Sequence, residues 1–151
     1  PKIKLILIIH KLKFFQFFIF SIIKLYTKKM RYKIAPEIKQ QVDSLIDQLQ
    51  LDYIQKDRIH CIRSFDAKTR AYARIWGMSK LFKEVAGIEP HYIIEVINKK
   101  FDKLNEREKI KTLIHELMHI PRTFSGALLS HQHPYRKINN QTVEKLFSHL
   151  R

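Results

Sequence analysis

One cysteine, Cys61, in a chain of 151 residues leaves no partner for an internal disulfide and cannot supply the ligands of a cysteine zinc ribbon. A lone thiol fits a reducing compartment, so a cytoplasmic setting is expected, with Cys61 a small buried residue in a strand rather than a nucleophile. Acidic residues are scarce as well. Fourteen Asp and Glu face 29 Lys and Arg, a net charge of +15, which points to an anionic partner such as nucleic acid. The distribution weakens that inference. Residues 1–29 contribute +7 through seven Lys and no acid; the other +8 is interleaved with acids, as in Glu106-Arg107-Glu108-Lys109, the pattern of a solvated helix face.

Residues 1–29 also lack Gly and Ala, and 24 of them are Lys, Ile, Leu, Phe or Tyr, all of which A and T alone can encode. This is the profile of an AT-rich upstream region translated by mistake. The longest apolar run, Phe14 to Ile23, has ten residues including Gln16, against the ~20 a spanning helix needs. No small-residue cleavage site follows it, so a signal peptide fits poorly. The expectation is a misassigned start or a basic-apolar extension over 1–29, with membrane association only if that segment is native. A single domain then covers 30–151, long enough to bury a core.

Within that domain, Pro36 opens a helix with Ile38, Val42, Leu45, Ile46 and Leu49 at helical period. Arg58–Phe65 and Ala71–Met78 read as strands joined by the turn Asp66–Arg70, a hairpin. Lys80–Ala86 reads as a short helix ended by Gly87. The β-branched run His91–Ile97 is a further strand. Glu95 interrupts it as a surface or salt-bridged carboxylate, and Arg74 and Trp76 read as surface and packing residues. A loop over Pro121–Lys137 precedes a last helix, Asn139–Leu150. The order describes a compact α+β domain with a small, mainly antiparallel sheet packed against the helix described next and flanked by others.

That helix carries His115-Glu116-Leu117-Met118-His119, an H-E-x-x-H sequence. Asn105 caps its start with Glu108 at the capping-box position, and Pro121 ends it. Ile110, Leu113, Ile114, Leu117, Met118 and Ile120 form its buried stripe. Histidines four apart project from one helix face, so His115 and His119 can grip one Zn2+ ion while Glu116 points at the open side. The chemistry implied is metal-assisted hydrolysis, most often of a peptide bond. In this scheme Glu116 acts as general base on a zinc-bound water.

A catalytic zinc takes three protein ligands. A metzincin would need Gly and His three and six residues after His119; Arg122 and Ser125 stand there instead. The donors left downstream are His131, His133, His149 and Glu144, the one acid after Glu116.

The motif, followed after eleven residues by His131 and then by Tyr135, resembles the SprT-like zinc metallopeptidases, in particular small archaeal and phage members. Phe124-Ser125-Gly126-Ala127-Leu128 is similar to the same group. The resemblance implies a zincin-like domain, His131 as third ligand and a protein or peptide substrate. Gln132 stands where the family has Gly, which keeps His133 as an alternative ligand, with His133 or Tyr135 as assisting hydrogen-bond donors. Some SprT-like proteases act on DNA-bound proteins, so nucleic-acid proximity is a further expectation, with Arg122, Arg136, Lys137 and Lys145 as a basic rim. Strand addition onto His91–Ile97 would hold an extended substrate. Two alternatives remain open: a non-enzymatic zinc-stabilised binding module, and a membrane-tethered metalloprotease using Glu144 as ligand.

Overall fold

A computed structural model describes residues 31–65 and 67–150; the expectations for residues 1–29 lie outside them. Four strands form one sheet: β1 (Tyr32–Ile34), β2 (Ile59–Ser64), β3 (Ala73–Gly77) and β4 (Tyr92–Ile97). Their spatial order is β1-β2-β4-β3, with β1–β2 and β3–β4 antiparallel and β2–β4 parallel. The sheet is therefore mixed: two of its three pairings are antiparallel, in line with the expectation, and the central one is parallel. A second, two-stranded ribbon pairs β5 (Gln132–His133) with β6 (Arg136–Lys137).

The expected hairpin between β2 and β3 does not form, because β4 lies between them. The reason is in β4 itself. Tyr92, Ile94 and Val96 are fully buried on one face, and Glu95 and Ile97 are nearly so on the other. Ile93 alone is exposed, and a strand so largely covered on both faces belongs in the middle of a sheet. β4 is thus central and not free to accept another strand, and β3, which carries Arg74 and Trp76, takes the outer position beside it.

Helix α1 (Pro36–Gln48) has Pro in its first turn and buries Ile38, Val42, Leu45 and Ile46, the positions of one helical stripe. Helix α2 (Lys80–Ala86) is capped by Ser79 and closed by Gly87 at φ +65°. A short α3 (Asn98–Phe101) leads to α4 (Glu106–Met118), whose Asn105–Glu108 capping box is present as the sequence indicates. Leu113, Ile114, Leu117 and Met118 of α4 join Tyr92, Ile94, Val96, Ile75 and Ala73 of the sheet in one core. Burying each Leu, Ile, Val or Met among them contributes roughly 1.5–3 kcal/mol. Helix α5 (Asn140–Phe147) starts at a capping box on Asn139 and closes the chain over Val143. No helix among the described residues is long and apolar enough to cross a membrane.

Glu95 is only 1 % exposed. Its carboxylate accepts from Arg74 Nε and Nη2 at 2.8 and 3.0 Å and from Trp76 Nε1 at 2.8 Å. The salt-bridged role expected of it holds; the surface role does not. Burial pushes its carboxyl up, yet Arg74, the nearby Ser64 hydroxyl and Trp76 together outweigh it and hold the group below its ordinary value of 4.5. A carboxylate depressed in this way stabilises the fold above its unfolded pKa, and the contribution is lost as pH falls through the folded value. Glu95→Gln is expected to cost about 1–3 kcal/mol at neutral pH. The wild-type and variant stabilities should begin to converge as pH falls below 4.5 and meet only below the depressed folded value, as urea denaturation with chelator present would read.

Candidate metal centre

Helix α4 brings His115 and His119 to one face, and the chain after it returns to the same place. Phe124 N–H donates to the Pro121 carbonyl at 2.9 Å, turning the chain back. Leu129 then grips His119 twice: Leu129 N–H donates to the His119 carbonyl at 2.8 Å, and His119 Nδ1 bonds to the Leu129 carbonyl at 2.6 Å. The second bond assigns the ring proton to Nδ1 and leaves Nε2 as the bare nitrogen. Two residues further on, His131 enters the same space.

The three imidazoles converge through their Nε2 atoms. His115 and His131 are 3.1 Å apart there, and His115 and His119 are 3.4 Å apart. Their ring centroids lie 4.7–5.1 Å from one another, and each residue offers one nitrogen within 4.8 Å of the others. Nitrogens bound to one tetrahedral zinc at ~2.0–2.1 Å stand about 3.4 Å apart, so this donor set fits such an ion.

Electrostatics favour the same use. Burial, followed by the His119 and His131 charges, pushes His115 down to about 4. Burial also lowers His119, against the Leu129 carbonyl and together with His131. Protonation would place positive charges side by side in a poorly hydrated site, so His115 and His119 keep their lone pairs at neutral pH. Glu116 is 7 % exposed, and burial pushes its carboxyl up to about 7, with the Ile75 backbone amide pulling the other way. A carboxyl poised there can take and return a proton.

Glu116 lines concavities on two sides. One, of about 610 Å³, also meets His115, Tyr72, Ala73, Leu104 and Val143. The other, of about 340 Å³, meets Ile75, His119 and Leu128 to Ser130. Both are bordered by residues of β3, the outer strand, and neither by β4.

The other sequence candidates are not among the three convergent donors, although Glu144 borders the larger concavity. His133 sits on β5 with its Nδ1 buried and unbonded, its ring 5.9 Å from that of Tyr135. Tyr135 is 94 % exposed. His149 Nδ1 bonds to the Lys145 carbonyl at 2.6 Å. Glu144 is held by Arg107 at 2.5 Å and by Lys111. Sequence reading missed Leu129 and Ile75, which act through backbone atoms and leave no side-chain signal.

A buried carboxylate beside three convergent imidazoles is an arrangement that could hold a metal ion. The chain belongs to a metallopeptidase family: the family described as "Putative phage metallopeptidase" has a model that matches residues 30–150. Neither the curated proteins nor the solved structures give a match. Membership implies a metal cofactor, and His115, His119 and His131 are the residues that could hold it.

Metal analysis after dialysis checks the third donor. His131→Ala is expected to leave the protein with substoichiometric metal, and His133→Ala to retain one equivalent. Equal loss in both variants would move the third ligand away from His131.

Proposed function

We propose that the chain is a zinc-dependent metallopeptidase of the SprT-like, zincin type. The observation that carries this reading is the convergence of the His115, His119 and His131 nitrogens within 4.8 Å of one another beside a buried Glu116. Three donors converge among the described residues, the number a catalytic zinc uses, where a structural zinc takes four. That count favours an enzyme over a zinc-stabilised binding module.

His115, His119 and His131 would hold the zinc, which would supply Lewis-acid polarisation of the scissile carbonyl and a lowered pKa for the attacking water. Glu116 accepts the proton of that water and then returns it to the leaving nitrogen. The Leu129 carbonyl keeps the His119 ring turned inward throughout. The substrate is an extended protein or peptide segment laid along β3, whose residues border both concavities. Such an addition needs an outer strand, and for that reason β3 replaces the run His91–Ile97 in this role. The Glu144 ligand set of a membrane-tethered enzyme is disfavoured by the two cations that hold that carboxylate. Nucleic-acid proximity rests on the basic balance of the chain, and a cytoplasmic setting on its single thiol.

The test separates binding from chemistry. Glu116→Gln is expected to keep one equivalent of zinc and to lose peptide hydrolysis by about 10²–10⁴-fold, read by metal analysis and by cleavage of an unfolded protein substrate. Full activity in that variant would reject Glu116 as the base.

A further inference from the structure

Tyr92 opens the central strand β4 and is fully buried. Its hydroxyl accepts from Gly126 N–H at 2.8 Å and donates to the Ala127 carbonyl at 3.0 Å. A buried hydroxyl needs partners, and both of these come from one strap of chain, Phe124 to Ser130. The Tyr92 ring also packs on Phe124, with centroids 5.0 Å apart. The strap is held in one further way. Gly126 has φ +86°, and a Cβ there would fall 2.3 Å from the Met78 carbonyl oxygen; a Cβ on Gly77 would fall 2.2 Å from the Gly126 oxygen. Backbone therefore lies directly on backbone where the strap crosses the end of β3.

The same strap carries the groups that set the histidines. Two residues past Ala127, Leu129 grips His119 at its carbonyl and at Nδ1. Two residues past that, His131 reaches His115. A displacement of the strap at Gly126–Ala127 thus reaches both His119 and His131, while His115 stays anchored on α4.

We infer that Tyr92 is a positioning residue for the histidine cluster, its buried hydroxyl pinning the strap that orients His119 and delivers His131. This rests on the reading of His115, His119 and His131 as metal ligands. The residue makes no contact with the ligand nitrogens; it acts through the backbone of Gly126, Ala127 and Leu129. Loss of such outer support characteristically weakens metal binding by about 10–100-fold.

The test compares wild type, Tyr92→Phe and Val42→Ala, the last a core truncation in α1. Zn2+ affinity is measured by competition with a chromophoric chelator, the visible spectrum with Co2+ in place of zinc, and the urea midpoint of the metal-free protein. Tyr92→Phe is expected to bind Zn2+ about 10–100-fold more weakly and to show an altered Co2+ spectrum. Val42→Ala should lose stability yet keep wild-type affinity and spectrum. Should Tyr92→Phe fail to fold, Gly126→Ala displaces the same strap with Tyr92 intact and is expected to weaken binding likewise. Wild-type affinity and spectrum in the strap variant would overturn the inference, as would an equal loss of affinity in Val42→Ala. Wild-type protein that takes up no metal would overturn the ligand reading itself, and the inference with it. Normal uptake by wild type with an unaffected strap variant would sink the inference alone.

Discussion

The double hydrogen bond between Leu129 and His119 is the interaction on which the site depends. It joins the end of α4 to a segment ten residues further along the chain, and it does so through one amide, two carbonyls and one imidazole. A helix can present His115 and His119 by itself, because its geometry places residues four apart on one face. It cannot supply a third arm. The strap does that, and its attachment at Leu129 fixes the tautomer of one imidazole as it carries another into place. The core beneath is arranged to the same end. Leu113, Ile114 and Leu117 are completely buried, so α4 cannot roll without exposing them, and the histidine face keeps its direction.

Local features of this fold were legible in the sequence because they depend on residues close in the chain. The Asn105 cap, Gly87 after α2, the α1 stripe and the buried Cys61 all depend on short-range pattern or simple burial. Strand order was not legible. A turn-like stretch between two apolar runs reads as a hairpin whether or not a third strand enters between them, and pairing between distant strands leaves no local mark. The clue was available in β4, whose run of Tyr, Ile and Val is apolar on both faces. Only Glu95 obscured it, and its charge is matched by Arg74 and Trp76 on the neighbouring strand.

The site followed the same division. His115, Glu116 and His119 declare themselves by spacing, whereas the groups around them act through backbone. Leu129 holds His119 by its carbonyl and Ile75 faces Glu116 by its amide, contributions that any residue type could make. Between His131 and His133 the sequence offered two donors of one type, two residues apart. On a regular strand two such neighbours would share a side; here His133 N–H closes a turn on the Ser130 carbonyl at 3.2 Å, and His131 is the one turned towards His115.

The three imidazoles are unequally sheltered: His119 is 8 % exposed, His115 is half-buried and His131 is open to solvent. If these imidazoles hold an ion as proposed, the three arms would differ in how easily a competitor reaches them. His131 would be the arm that a competing ligand meets first, and without it His115 and His119 would still stand together on α4. The outermost donor thus lies on the chain that follows α4, and the two sheltered donors lie on the helix whose apolar face is buried in the core.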